Sequence, residues 1–301
     1  MIPDFQTIML PLMNILSDGK EHSTNETNEK LADFFKLTEK EINEYLPSGS
    51  QKIFTNRVAW AKSYLKMAGL IESIKRGSFQ ITDAGKNFLN SNPSQINLKV
   101  LKTIPTFQER ILRIKDDRED NTIDTIQIDS TPEEILENSY LKIRKNLAQE
   151  LLMKIKSSSY TFFESLVVEL LIKMGYGGSI QDAGRSIGRS GDEGIDGIIK
   201  EDKLGLDVLY IQAKRWENVV GRPEIQKFVG ALAGQGAKKG VFITTSRFTN
   251  EAKAYQPRNE TKIVLIDGEQ LAELMIDYNL AVSTVNVFEI KRIDNDYFGD
   301  E

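Results

Sequence analysis

Residues 191–214 read GDEGIDGIIKEDKLGLDVLYIQAK and contain two runs with the character of β-strands. The segment KEDKLGLD between the two runs suits the connection of a hairpin. In such a hairpin Asp196, at the start of the first strand, faces the end of the second strand, where Gln212 and Lys214 point to one face. The sequence therefore predicts that an acid, an amide and an amine meet at one end of a strand pair.

This set of side chains suits the hydrolysis of a phosphodiester bond. A carboxylate and an amide oxygen can hold Mg²⁺, which offsets charge on the phosphate and lowers the pKa of a bound water. The lysine can orient that water or stabilise the oxygens of the pentavalent phosphorus. The spacing leaves an alternative open, in which Gln212 and Lys214 merely occupy the polar end of a strand and Asp196 occupies a turn.

Alternating helices and strands surround this hairpin from residue 160 onwards. A helix is predicted from about Thr161 to Met174, and further helices are predicted near residues 223–233 and 249–255. Runs such as VFITT and IVLI are apolar throughout, as in strands that helices cover on both faces. We therefore expect an α/β fold in which helices flank a mixed central sheet.

The first 90 residues contain a different order of elements. KIFTNRVAWAKSYLKMAGL repeats apolar residues at helical spacing and ends at Gly69, two short alternating runs follow around Lys75, Arg76 and Gly77, and Thr82 begins another helix. This is the order of a winged helix-turn-helix, in which a helix enters the major groove and the wing tip contacts phosphates. A small helical domain with a charged surface is the alternative.

Charge is distributed unevenly along the 301 residues, whose formal net charge is −5. Residues 52–86 have a balance of +5, whereas residues 116–137 carry nine acids against one arginine, a balance of −8. Because the acidic segment outweighs the net charge of the chain, the parts on either side of it can approach a polyanion. We place an acidic linker and connecting helix at residues 91–158, between domains at residues 1–90 and 159–301.

The connecting helix is predicted from the sequence Ser130-Thr131-Pro132-Glu133-Glu134, which combines a capping box with a first-turn proline. An apolar stripe follows at Leu136, Tyr140, Ile143, Leu147, Leu151 and Ile155. Such a stripe is typical of an oligomer seam or of packing on a neighbouring domain, and the sequence leaves both open.

The composition excludes several kinds of chemistry. The absence of cysteine rules out disulfides and thiolate metal sites and fits a reducing cytoplasm. The one histidine, His22, lies in a polar stretch, so neither a histidine triad nor a zinc site is expected. No membrane span, signal peptide or GxxxxGK[ST] motif is recognisable. We expect a cytoplasmic, nucleoid-associated protein that uses no nucleotide triphosphate and contacts no membrane.

Three stretches, GDEGIDGII, VLYIQAKRW and GRPEIQKFVGALAGQGAKKGVFITTSRFT, resemble the catalytic domain of the Mrr family, the modification-dependent type IV restriction endonucleases of the PD-(D/E)XK superfamily. The resemblance extends from about Phe162 to near Tyr297. FTNRVAWAKSYLKMAGLIESIKRGSFQITDAG is similar to the winged-helix domain of the same family. The resemblance implies a restriction-endonuclease-like fold after a winged helix, and an Mg²⁺-dependent endonuclease that restricts foreign methylated DNA.

The resemblance also implies roles for single residues. It makes Asp196 the metal-binding aspartate, Gln212 the metal ligand that replaces the second acid of the superfamily, and Lys214 the catalytic lysine. Glu164 matches an acid that related nucleases place near the metal. Thr161 and Glu164 also have the spacing of a capping box, so a purely structural role for Glu164 stays open.

Two further features bear on the affinity for the metal. Gln212 places one negative charge fewer beside the ion than a carboxylate would, so we expect weak binding and a need for millimolar Mg²⁺ or for DNA to complete the site. Asp192 matches the other acid of the GDxGID motif, while Glu193 stands where the family more often has glycine. We expect the extra carboxylate to alter the geometry and charge of this loop.

Candidate DNA contacts lie in both predicted domains. In the first domain we expect Asn56 to read a base edge and several basic residues to contact phosphates, namely Arg57, Lys62, Lys66, Lys75 and Arg76. In the second domain Arg185 and Arg189 lie close to the motif in sequence and are candidates for phosphate contacts. Solvated surface charge explains each of the last two almost as well.

Two other functions remain compatible with these features. A DNA-binding regulator could keep the nuclease fold only to hold the duplex, although a degenerate motif would then be expected. A repair or junction-resolving nuclease would use the same chemistry on branched DNA. Cutting both strands of a duplex needs two active sites, so a homodimer or higher oligomer on double-stranded DNA is expected for the restriction enzyme.

Overall fold

The computed structural model describes residues 1–75, 77–116, 130–177, 194–202, 206–257 and 260–291, with side chains described up to residue 111 in the second range. These residues form two units, Met1–Leu141 and Lys142–Glu289, and residues 290 and 291 group with the first. The division falls inside a long helix, so each unit contains one part of it. In the described ranges, no helix combines the length and the apolar character needed to cross a membrane.

The first unit is largely helical. Its helices are α1 (Phe5–Ile15), α2 (Thr24–Phe34), α3 (Glu39–Ile42), α4 (Ile53–Met67), α5 (Asp83–Asn90), α6 (Leu98–Leu101) and α7 (Pro105–Asp116). Three short antiparallel strands, β1 (His22–Ser23), β2 (Ile71–Lys75) and β3 (Ser78–Ile81), form a sheet in the order β1-β3-β2. Helix α4, the β2–β3 hairpin and α5 follow one another as predicted, which confirms the winged helix.

Local signals in the sequence explain this order. The predicted apolar face of α4 is buried at Val58, Ala61 and Leu65. Gly77 turns the chain between β2 and β3 with φ = 73°, a left-handed conformation that favours glycine. The side chain of Thr82 accepts a hydrogen bond from the backbone of the third residue of α5 and caps that helix.

The second unit contains the larger sheet. Its elements are α8 (Pro132–Ser157, shared with the first unit), α9 (Tyr160–Lys173), β4 (Gly197–Lys200), β5 (Val208–Lys214), α10 (Arg222–Gly234), β6 (Lys239–Thr244), α11 (Asn250–Lys253), β7 (Lys262–Ile266) and α12 (Gly268–Asp277). The strands lie in the order β4-β5-β6-β7. Strand β4 pairs antiparallel with β5, and the other two pairs are parallel, which confirms the mixed sheet.

Helices cover both faces of this sheet. Along β6, Val241 and Ile243 belong to the apolar cluster that includes Phe163 of α9 and Met275 of α12. Phe242, between them, belongs to a second cluster with residues of α10 and α11. Because successive side chains of a strand point to opposite faces, this division explains why the run VFITT is apolar throughout.

Candidate active site

The β4–β5 hairpin holds three of the predicted site residues, Asp196, Gln212 and Lys214, at one end of the sheet. The backbone N–H of Asp196, just before β4, donates to the carbonyl oxygen of Ile211 at 2.8 Å. Oδ2 of Asp196 accepts a hydrogen bond from the backbone N–H of Ala213 at 2.7 Å. Ala213 separates Gln212 from Lys214, so the hairpin places the carboxylate beside the backbone that carries the other two side chains.

The side-chain amide of Gln212 is buried close to the loop that precedes Asp196. Gln212 is 6% exposed, and its Oε1 has no hydrogen-bond partner among the described residues. Gly194 adopts φ = 103°, and a Cβ atom at this position would lie 3.0 Å from Nε2 of Gln212. Because an unsatisfied buried acceptor costs about 1–3 kcal/mol, the oxygen is suited to receive a ligand.

The ammonium group of Lys214 lies between a carboxylate and an aromatic ring. Its Nζ donates to Oε2 of Glu224 at 2.6 Å and lies 4.3 Å from the centroid of the Trp216 ring. Oε1 of Glu224 accepts a second bond, from Nζ of Lys227 at 2.8 Å. The bonds from Lys214 and then Lys227 lower the pKa of Glu224, so this carboxylate stays ionised and holds Lys214 in place.

Glu224 was not identified from the sequence as a site residue. It lies in the first turn of α10, which begins after Gly221 and has Pro223 in the same turn. A glycine and a proline followed by an acid predict the start of a helix. They do not predict that this turn lies against the end of β5, because that contact depends on how α10 packs on the sheet.

The two predicted carboxylates are both poorly placed to carry a charge by themselves. Burial raises the pKa of Asp196, and the bond from Ala213 N–H and the charge of Lys214 oppose this rise. Burial also raises the pKa of Glu164, and the negative charge of Asp196 raises it further. Two carboxylates that are partly buried and repel each other favour a cation between them.

The start of α9 excludes the capping role considered for Glu164. Ser159 caps α9, since its side chain accepts a hydrogen bond from the backbone N–H of Phe162 at 3.1 Å. The helix begins at Tyr160, one residue before Thr161, so Thr161 does not cap it. The capping box considered for Thr161 and Glu164 is therefore wrong. Glu164 lies within the helix, half-buried and close enough to Asp196 for their charges to interact.

Asp196, Gln212 and Glu164 are the residues that could hold a metal ion. In the described ranges there is no group of three or more histidine, cysteine, aspartate or glutamate side chains suited to a metal. The candidate set instead combines two carboxylates with an amide oxygen that no described residue donates to, and oxygen ligands of this kind fit a hard divalent cation. Asp192 and Glu193 lie outside the described residues.

Comparisons with known proteins match both units. A family model described as restriction endonuclease matches residues 155–275, and the model of the Mrr N-terminal domain matches residues 5–91. The type IV methyl-directed restriction enzyme EcoKMrr of Escherichia coli (strain K12) is 37% identical over 311 residues, which cover 99% of this chain and 99% of the relative. The chain belongs to the Mrr family of restriction endonucleases. The resemblance predicted from the motifs is thereby confirmed, and the protein is an endonuclease.

Two solved structures are also similar to this Mrr-family chain. The MspJI restriction endonuclease in complex with a 27-mer oligonucleotide is 23% identical, with a TM-score of 0.33 over 44% of this chain and 31% of that one. The DNA modification-dependent restriction endonuclease AspBHI is 14% identical, with a TM-score of 0.35 over 70% of this chain and 57% of that one. The family assignment rests on the sequence matches.

Two DNA contacts predicted in the Mrr N-terminal domain need correction. Asn56 is 2% exposed, and its Oδ1 accepts a hydrogen bond from Oγ1 of Thr131 at 2.6 Å, so its amide does not face a base edge. Arg57 donates through Nε to Oε1 of Glu134 at 2.8 Å, and its Nη1 donates to carbonyl oxygens near the N-terminus. Both side chains are thus engaged in contacts within the first unit.

The other predicted contacts of this domain lie nearer to the solvent. Lys62 is half-buried and donates to Oγ1 of Thr24 at 3.0 Å. Lys66 is exposed, and Lys75 is exposed and pairs with Glu21 at 2.9 Å. The predicted contacts at Arg76, Arg185 and Arg189 lie outside the residues that the structure describes.

Proposed function

We propose that this Mrr-family enzyme hydrolyses phosphodiester bonds of methylated double-stranded DNA, with Mg²⁺ held by Asp196, Gln212 and Glu164. The observation that carries the proposal is that one end of the hairpin holds a partly buried carboxylate and an amide oxygen that has no hydrogen-bond donor among the described residues. Restriction endonucleases generally use a divalent metal ion. The preference for methylated DNA is inferred from the methyl-directed relative, which shares almost the whole length of this chain.

When bound, the metal offsets charge on the phosphate and makes a water more acidic. The residues of this chain hold the catalytic groups in position. The N–H of Ala213 donates to Oδ2 of Asp196 and orients the carboxylate, which would hold the metal. Glu224 and the Trp216 ring hold the Lys214 ammonium in place. From this position the ammonium can orient the attacking water or stabilise charge on the phosphate oxygens. Hydrolysis leaves a 5′-phosphate on the product.

The winged helix is proposed to dock on the duplex. Exposed or half-buried lysines on α4 and β2 support this role, namely Lys62, Lys66 and Lys75. Phosphate contacts of this kind position a protein on DNA without reading sequence. Asn56 and Arg57 are not part of the proposed interface.

A homodimer or higher oligomer is proposed for cutting both strands. Three residues of the apolar stripe on α8 are exposed, Leu136 at 43%, Tyr140 at 58% and Ile143 at 67%. Leu151 and Ile155, further along the same stripe, are buried within the second unit. Exposed apolar side chains at helical spacing are typical of a surface that another chain can cover, which supports the proposal.

The experiment that tests the function compares matched methylated, unmethylated and branched DNA in the presence of Mg²⁺. We expect the wild type to cut the methylated duplex and Lys214→Ala to lose at least about a hundredfold in rate. Preferential cutting of branched DNA would favour a repair or junction nuclease. DNA binding without cutting, unchanged in Lys214→Ala, would favour a DNA-binding regulator.

A further inference from the structure

A groove of about 340 Å³ lies in the first unit between α4 and the β2–β3 hairpin. Its polar lining consists of Thr24, Lys62, Ser63, Lys66, Glu72, Ser73 and Ser78. The two lysines come from successive turns of α4, and the hydroxyl groups come from α2, α4, β2 and β3. The groove therefore gathers two ammonium groups and several hydroxyl groups between α4 and the hairpin, the two elements with which a winged helix contacts a duplex.

Lys62 is held inside this groove without a carboxylate partner in the part of the chain that the structure describes. Its Nζ donates to Oγ1 of Thr24 at 3.0 Å and lies 4.6 Å from the centroid of the Phe79 ring. Burial lowers the pKa of Lys62 to about 8, because the neutral form needs less hydration than the ammonium. Burial thus disfavours the charged form of Lys62 in the free protein, and a bound anion would stabilise it.

Hydrogen bonds connect the elements that line the groove. Thr24, the first residue of α2, donates to the carbonyl oxygen of Gly77 through its backbone N–H at 2.8 Å and through Oγ1 at 3.0 Å. Nζ of Lys66 donates to Oγ of Ser73 at 2.9 Å, which joins α4 to β2. A ligand would meet side chains that are already oriented, so little ordering would oppose its binding.

The chemistry of the lining fits an oxyanion better than a base. Ammonium and hydroxyl groups bind phosphate oxygens strongly, since charge-assisted hydrogen bonds are about twice as strong as neutral ones. A methylated base would need an open aromatic or apolar face on which to stack. Phe79, the aromatic side chain of the lining, is buried and covered by the ammonium of Lys62.

We propose that this groove binds one backbone phosphate of the DNA duplex and that Lys62 is its charged ligand. The proposal rests on the proposed function, since it assumes that the chain binds DNA. A phosphate favours the ammonium form, so binding raises the pKa of Lys62 and takes up a proton where the free amine is neutral. Affinity should then fall as pH rises past about 8. The charged groups that share the groove with Lys62 are Lys66 of α4 and Glu72 of β2.

The test measures binding by the full chain carrying Lys214→Ala, using fluorescence anisotropy with a labelled methylated duplex. At about pH 7 we expect Lys62→Met to weaken binding roughly tenfold and to reduce the salt slope by about one. Lys99→Met removes an exposed charge outside the groove and should change affinity less than about twofold. Between about pH 7 and pH 9 the reference chain should lose up to about tenfold in affinity.

Lys62→Arg tests whether the loss of affinity at high pH comes from the loss of charge on residue 62, because an arginine stays charged at both about pH 7 and about pH 9. We expect this variant to lose less affinity than the reference between about pH 7 and pH 9. Its circular dichroism spectrum, and that of Lys62→Met, should match the reference if both fold.

Three outcomes would overturn the phosphate groove. Equal affinities for Lys62→Met and Lys99→Met would remove Lys62 from the interface while the proposed function stands. A loss in Lys62→Met that is confined to methylated DNA would mean that the groove reads a base. If the reference chain bound no DNA at all, the proposed function would fail together with the groove.

Discussion

For Asp196, the proposed metal ligand, the requirements of catalysis and of stability conflict. Its carboxylate is partly buried, and burial raises its pKa, so the folded protein holds the ionised form less well than water does. A cation bound at this carboxylate would compensate for the lost hydration. Without a cation, the ionised side chain destabilises the folded state at neutral pH.

Asp196→Asn is therefore expected to stabilise the metal-free protein and to abolish cleavage. The amide oxygen can still accept from Ala213 N–H, and the buried charge is gone. At neutral pH we expect a gain of about 0.5–1 kcal/mol, measured by thermal unfolding in a chelator. Because a raised carboxyl pKa destabilises only where the group is ionised, the gain should vanish in acid, where Asp196 is protonated in both states. An equal gain at all pH values would mean that the charge is not its cause.

Glu224 is expected to position Lys214 without contacting the DNA. In Glu224→Gln the ammonium loses its charged partner at 2.6 Å, so we expect roughly a tenfold lower cleavage rate with DNA affinity within about twofold. Glu224→Asp should recover part of the rate. Lys227→Met removes the other cation bound to Glu224 and serves as the matched control, with an expected change below about twofold.

If single-turnover cleavage by Glu224→Gln matched that by Lys227→Met, the contact with Lys214 would have no role in positioning. The rate and the affinity must be measured separately, since removing a negative charge near DNA can strengthen binding while it slows the reaction.

The predictability of single residues depends on how local their surroundings are. The side-by-side placement of Asp196, Gln212 and Lys214 follows from strand alternation and from a short hairpin, so the sequence predicts it. Asn56 is different, because its hydrogen-bond partner Thr131 lies 75 positions along the chain. A distant segment of the chain can bury a polar helix residue whose local sequence predicts exposure. No local sequence pattern predicts such burial.

At the scale of elements, α8 also shows that local sequence patterns do not predict contacts with distant segments. The capping sequence predicts the start of the helix, and Thr131 and Glu134 form the expected pair of bonds, from Thr131 N–H at 2.8 Å and to Thr131 Oγ1 at 3.3 Å. The acidic segment of residues 116–137 extends into this helix, and a charge run of this kind is usually solvated. The structure nevertheless packs the first turn of α8 on α4, where Glu134 is 5% exposed and binds Arg57. Charge density indicates solvation only where no partner of opposite charge is near.

The contact between Arg57 and Glu134 should stabilise the first unit. Arg57→Met keeps the apolar stem but leaves the buried carboxylate without its cation, so we expect a loss of about 3 kcal/mol. Urea unfolding followed by the fluorescence of Trp60, in a Trp216→Phe background, reports on this unit. Lys40→Met, at an exposed position on α3, should change the stability by less than about 0.5 kcal/mol.

Measurements on Arg57→Met also distinguish a structural role of Arg57 from a DNA-binding role. The structure predicts a lower unfolding midpoint with unchanged affinity for DNA at temperatures where the variant is folded. A lower affinity with unchanged stability would return Arg57 to the DNA interface and contradict the contact with Glu134.

At the scale of the whole molecule, one chain supplies one set of proposed catalytic groups among its described residues, whereas a duplex offers two strands of opposite direction. Two copies related by a twofold axis would present one site to each strand. Mixing wild type with Lys214→Ala in equal amounts tests this, because about half of randomly formed dimers then carry a single competent site. We expect nicked circles to accumulate from a supercoiled methylated plasmid, and the rate of double-strand cutting to fall to about a quarter. If the mixture instead behaved as wild type at half its concentration, with no excess of nicked circles, a single copy would be cutting both strands in turn.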